Sequence, residues 1–193
     1  MGHIVNHFLG SCGDVSLSPY FFNHNDIPFK NKIEKYNDGE NVSKSEFEWF
    51  FEAAKRSLSS LHPSNKVCAI LLCRNKEVAW SVNSNKSHPF QAKWSLAKTL
   101  HAEIGVIKKI EDCDIEIRDS YRLVIARIVK SGIAPSYPCP VCKSALEKIG
   151  LTSLICSDMS NKIRRININS FNYKSGPRKN VLVKGMGRHS RLL

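Results

Sequence analysis

The run KVCAILLC, Lys66–Cys73, contains seven consecutive residues with no charge and no amide side chain. A strand with one face in water alternates apolar and polar residues, so an unbroken run of this length fits a central strand covered on both faces. A strand of that kind needs helices above and below it, and the neighbouring segments supply candidates. Residues 45–61, SEFEWFFEAAKRSLSSL, set Phe47, Phe50, Phe51, Ala54 and Leu58 near one face at helical spacing, with Ser43 or Ser45 able to cap the first turn. HPSN then breaks the helix. EVAWSVN (77–83) follows a short RNK turn and predicts the second strand of a hairpin. Residues 121–130, 151–157 and 162–168 predict three more strands. Residues 100–110 and 139–149 predict helices, the second ending at Gly150. SNKSHPFQAKW and SGIAPSYP are expected to be loops. The order helix, hairpin, helix, strand, helix, strand, strand predicts an α/β layered protein with a five-stranded mixed sheet.

Hydrophobic residues make up 42% of the 193-residue chain, enough for a real core. No apolar run approaches the roughly 20 residues of a membrane span. The first residues lack the charged and apolar regions of a secretion signal, and Asn6 stands where a myristoylation signal has Ser or Thr. A cytoplasmic protein is therefore expected. Seven cysteines, an odd number spread from Cys12 to Cys156, make a poor disulfide framework and suit a reducing compartment. Cys68, Cys73 and Cys156 fall in expected strands and are read as core, and Cys113 has no reading. His3 and His7, with Cys12, are read as ordinary residues rather than a second metal set.

Charge is unevenly placed along the chain. The net charge is +12, and residues 120–193 hold 14 Lys/Arg against 2 Asp/Glu. Such a surface attracts phosphate, on a nucleotide or on a polynucleotide; the plainer reading is a solvated basic face. From Lys174 onward there are six Lys/Arg, three glycines and no acid, which predicts a basic tail with NVLVK as a candidate edge strand.

Two short motifs carry the chemistry. In SYPCPVCKSALEKIG, Cys139 and Cys142 are three residues apart at the start of a helix, so both sulfurs lie on one side. Pro140 is tolerated in a first turn, and the positive end of the helix favours thiolate. In KTLHAEIGVIKK, His101 and Glu103 open the other helix. Two thiolates and an imidazole are zinc ligands, and three protein ligands leave a fourth position for water, the pattern of catalytic zinc. Glu103, two residues from His101, is then placed to carry protons. The alternatives are a redox or half-structural cysteine pair, and a polar pair that only caps a helix.

His101-Ala102-Glu103 followed by Pro138-Cys139-Pro140-Val141-Cys142 is the H-x-E…P-C-x-x-C signature of the zinc nucleobase deaminases. Over residues 47–168 the chain resembles the cytidine/deoxycytidylate deaminase superfamily. The resemblance implies a three-layer fold with helices on both faces of the sheet and both motif helices on one face. It implies one zinc per chain on His101, Cys139 and Cys142. It also implies hydrolytic exchange of an amine for a carbonyl at C4 of cytosine or C6 of adenine, with Glu103 shuttling protons. The Ala102 backbone N–H would hold the base carbonyl. Asn83, with Asn85 behind it, would contact the sugar, and Tyr137 would line the pocket. For these, turn formation and a structural aromatic are the plain alternatives. His88, Gln91 and Lys93 could meet a phosphate or a flanking nucleotide, although a surface loop is favoured.

The domain organisation then reads as an irregular extension (1–44), a deaminase-like catalytic domain (45–170) and a basic tail (171–193). The expected substrate is a free cytidine-type nucleoside or nucleotide. Editing of a base within single-stranded DNA or RNA, through the basic C-terminal region, is the rival. A non-catalytic zinc module is a third reading, disfavoured by Glu103. Relatives often form dimers or larger assemblies, so a homo-oligomer is expected too.

Overall fold

The protein is described by a computed structural model over residues 42–94, 99–160 and 162–171. Its elements run α1 (Lys44–Ser57), β1 (Lys66–Cys73), β2 (Lys76–Val82), α2 (Pro89–Ala92), α3 (Ala102–Asp112), β3 (Tyr121–Val129), β4 (Gly132–Ala134), α4 (Pro140–Lys148), β5 (Ser153–Ser157) and β6 (Ile163–Asn167). The main path of the sheet is β2-β1-β3-β5-β6, and β4 pairs with β3. The β3–β5 pair is parallel and the others are antiparallel. The readings on residues 1–41 and 172–193, including His3, His7, Cys12 and the basic tail, lie outside the described residues. Among the described residues no helix is long and apolar enough to cross a membrane.

Alternate residues of the central strands feed two different cores. Ala69 and Leu71 of β1, Leu123 and Ile125 of β3, and Leu154 of β5 pack with α3 and α4. Cys68, Ile70 and Leu72, Val124 and Ala126, and Ile155 pack with α1. The apolar run is thus continuous because both of its faces are dry. Each fully buried Leu or Ile contributes about 1.5–3 kcal/mol. The three-layer arrangement with helices on both faces is as expected, and α3 and α4 share one layer.

Several details differ from the sequence reading. The segment SGIAPSYP contains β4, a three-residue strand that turns back on β3 through Gly132 at φ 121°. Three residues are too few to show a period. The expected loop SNKSHPFQAKW contains α2, started by Pro89 with the His88 Nδ1 accepting the Phe90 N–H. Helix α1 ends at Ser57, and its buried face is Glu46, Phe50, Ala53, Ala54 and Ser57. Leu58, expected on that face, is exposed.

Glu46 sets this rotation. One carboxylate oxygen takes the Ser43 N–H at 2.9 Å and the Ser43 hydroxyl at 3.0 Å, closing a capping box. The other pairs with Arg122 on β3 and Arg165 on β6. Burial alone would raise the Glu46 pKa, but the Ser43 N–H and the two guanidiniums outweigh it and hold the carboxyl below its ordinary value. A depressed folded pKa gives stability that is fully present above the unfolded value of about 4.3 and is lost as pH falls through the folded value. Glu46→Gln should therefore destabilise the protein by about 3 kcal/mol at neutral pH. Urea melts between neutral and acid pH should show the gap to wild type closing as pH falls.

Helix α3 lies unusually close to β2. A Cβ added at Gly105 would stand 2.1 Å from Ser81 Oγ and 2.8 Å from Ser81 Cβ. The serine Cβ cannot swing away, so Gly105→Ala must push α3 from the sheet. We expect a loss of roughly 1–3 kcal/mol. Ser81→Gly in the same protein should restore part of it, as thermal melts of the single and double variants would show.

Candidate metal centre

Cys139 is the N-cap of α4, with extended backbone (φ −67°, ψ 165°), and its Sγ accepts the Cys142 N–H at 3.5 Å. Pro140 fills the first helical position, where a missing N–H leaves no bond unmade. Cys142, one turn on, is buried. The segment leading into this turn is tied to the sheet by Ser136. Its hydroxyl donates to the Ile125 carbonyl at 2.6 Å and accepts the Ser157 N–H at 2.9 Å. Sequence reasoning missed Ser136, because its partners on β3 and β5 are remote in the chain.

His101 is the N-cap of α3 (φ −81°, ψ 148°), and its side chain makes no capping bond, which leaves the imidazole for other work. Its Nδ1 stands 3.5 Å from Cys139 Sγ and 3.3 Å from Cys142 Sγ. The three ligand atoms all lie within 4.8 Å of one another. Ligands on one tetrahedral zinc, at about 2.3 Å for sulfur and 2.0–2.1 Å for nitrogen, would be separated by roughly 3.5 Å. The residues therefore fit a zinc ion in both donor chemistry and spacing.

The three groups are electrostatically coupled. The Cys142 thiol donates to Cys139, and His101 adds to its effect; against the opposing effect of burial, the Cys139 thiol is pulled down to about 4. Cys142, held as the donor and buried, is pushed up. The bond to Cys139 raises His101 despite its partial burial. A metal would take the place of the protons that these groups share, and binding would release them. Cys68 is a contrast, since it lies in the core against α1 and burial, with smaller effects of Glu77 and Glu52 and against Arg56 and Lys109, pushes its thiol up to about 12.

Glu103 sits in the first turn of α3, outside the three-ligand set. Its carboxyl is buried beside Cys142, and burial raises its pKa. Ala102 is fully buried at the first helical position, where the backbone N–H has no acceptor within the helix.

The remaining sequence candidates hold varied positions. The Asn83 Oδ1 accepts the Ser60 hydroxyl at 2.7 Å and the Val67 N–H at 2.8 Å, and its amide nitrogen donates to the Asn65 carbonyl at 2.8 Å. Asn83 thus fastens the 58–65 loop to β1, and one of its amide hydrogens has no partner among the described residues. The next residue, Ser84, donates its N–H to the Leu100 carbonyl at 2.9 Å, beside His101. Asn85 is exposed. Tyr137 stacks on Phe171, with ring centroids 4.4 Å apart, so one face of the ring is covered. His88 caps α2, and Lys93 pairs with Glu111 at 2.9 Å. Gln91 is fully buried, and its Oε1 accepts the His101 N–H at 3.0 Å, so it belongs to the site's frame and not to a surface loop.

No family model matches the chain, and no curated protein matches it. Solved structures do. A cytidine deaminase from Burkholderia pseudomallei is 15% identical, with 63% of this chain and 92% of that one covered and a TM-score of 0.47. The apo dCMP deaminase of cyanophage S-TIM5 is 16% identical, covering 58% of this chain and 82% of that one, with a TM-score of 0.41. The same phage enzyme in complex with dCMP and dUMP gives 16%, 58%, 81% and 0.40. These enzymes bear the names of the family that the two motifs resemble. Likeness of this degree carries no weight for activity or substrate.

Proposed function

We propose that the chain is a zinc-dependent hydrolytic deaminase that converts the amine of a cytosine nucleoside or nucleotide to a carbonyl and releases ammonia. The observation that carries this reading is the buried Glu103 carboxyl beside the His101–Cys139–Cys142 cluster. A purely structural zinc would need no fourth polar group that is not a ligand, and burying an idle carboxyl is unfavourable.

His101 Nδ1, Cys139 Sγ and Cys142 Sγ would hold the ion. Zinc bound by three protein ligands supplies an acidified water at its open position, with a pKa near 7. Glu103 would take a proton from the water as its oxygen bonds to the amine-bearing ring carbon and pass it to the ring nitrogen; it would then carry the proton of the new hydroxyl to the amine, so that the C–N bond breaks, ammonia leaves and the carbonyl forms. The Ala102 N–H, pointing out of the first turn, would bind the base carbonyl. The free amide hydrogen of Asn83 would meet the sugar, and the uncovered face of Tyr137 would border the base.

A cytoplasmic location goes with this reading, because the centre needs free thiols, and Cys139 and Cys142 are both free. Assembly into a homo-oligomer is part of the same reading. The excess of basic residues after residue 120 favours one alternative, deamination of cytosine or adenine within single-stranded DNA or RNA. A screen separates the two. Zinc-loaded protein is offered cytidine, deoxycytidine, their monophosphates, and short single-stranded DNA and RNA, with conversion followed by mass spectrometry. Conversion of monomers supports the nucleotide reading, conversion of polymers alone supports editing, and conversion of none contradicts both.

A further inference from the structure

The backbone N–H of an N-cap residue can be met by a polar side chain at the third helical position, as Glu46 meets Ser43 at the start of α1. Helix α3 has no such group. Its third position is Ile104, fully buried in the core, and Glu103 before it faces Cys142. The N–H of His101 is met instead from ten residues upstream, by Gln91 Oε1 at 3.0 Å. We propose that Gln91 is a positioning residue for the metal ligand His101, an inference that rests on the zinc reading above.

The bond fixes the one main-chain direction from which the imidazole hangs. Two further restraints hold the same stretch, a bridge between Ser87 and Thr99 and the Ser84 N–H on the Leu100 carbonyl. Both are made by backbone, so Gln91 supplies a side-chain hold where the ligand itself begins. Its own platform is firm. Pro89 and the His88 cap start α2, and Phe90 and Trp94 pack on the core beneath α3. Lys93 reaches across to Glu111 near the end of α3. With the cap supplied from α2, the first turn of α3 is free to send Ile104 into the core and to keep Glu103 at the cysteines.

The test uses the full-length protein with three variants. Gln91→Met keeps length and volume but has no acceptor, Gln91→Asn moves the acceptor out of reach, and Gln91→Glu keeps it. Zinc affinity is read by competition with a chromophoric chelator, and cobalt(II) absorption reports ligand geometry. Removal of an outer partner of a metal ligand weakens binding by about 10–100-fold. We expect that loss in Gln91→Met, with a changed cobalt spectrum, and partial recovery in Gln91→Glu, which restores the acceptor but buries a carboxyl. If Gln91→Met does not fold, Gln91→Asn is expected to show the same loss. Melting temperatures of apo and zinc-loaded forms are taken in parallel. A fall of equal size in both forms, with zinc affinity and cobalt spectrum unchanged, would overturn the proposal and leave the metal centre standing. A wild-type protein that binds no zinc would overturn both.

Discussion

The Glu103→Gln protein should keep its zinc, fold normally and lose deamination by a factor of about 100–10,000, the range that a positioned proton carrier contributes. Glutamine has almost the same shape, so the buried space beside Cys142 stays filled. The three ligand atoms, His101 Nδ1, Cys139 Sγ and Cys142 Sγ, are untouched. Only the ability to take up and return a proton is lost. Zinc content and single-turnover conversion, measured on one preparation, check both halves of this expectation. A variant that turns over at the wild-type rate would remove Glu103 from the mechanism. A variant that loses its zinc would show that the carboxyl helps hold the metal.

Cys142→Ala should have the largest effect on the protein as a folded object. It removes one of three ligands, so zinc affinity should fall by more than the roughly 100-fold associated with an outer-shell partner. Binding free energy at a preformed metal site is folding free energy, and the variant should melt well below wild type in the presence of zinc. The lost sulfur also leaves a gap in the core that α3 and α4 share with the sheet. Cys68→Ala is the control. Cys68 is equally buried but lies in the opposite core, against α1, and its loss should leave zinc content unchanged. Metal analysis and calorimetry with and without added zinc distinguish the two. Full zinc retention by Cys142→Ala would end its assignment as a ligand.

What could be read from the sequence was whatever repeats locally. The unbroken KVCAILLC run becomes the strand between two cores, and the two motifs open α3 and α4 on the same layer. Cys139 and Cys142 share a turn, and their helix start is written in the chain as Pro140 at the first position. What escaped were polar side chains whose partners are far away in sequence. Glu46 is buried because Arg122 and Arg165 meet it, and without them the periodicity points to Phe47 and Leu58 as the inner face. Gln91 looks like a loop residue until the His101 N–H is seen on its Oε1. Asn83 looks like a turn or substrate residue in the sequence, yet most of its amide is engaged in holding the 58–65 loop to β1. A hydrogen bond between distant segments leaves no period in the sequence and no propensity signal.

The most direct test of the deaminase reading follows the fate of one amine. Zinc-loaded protein is incubated with a cytosine nucleoside or nucleotide in heavy-oxygen water, and the product is weighed by mass spectrometry beside released ammonia. One ammonia per product and heavy oxygen in the new carbonyl are expected, with both formed about 100–10,000-fold more slowly by the Glu103→Gln control. Zinc-replete protein that leaves every cytosine and adenine substrate unchanged, free or in single strands, would contradict it.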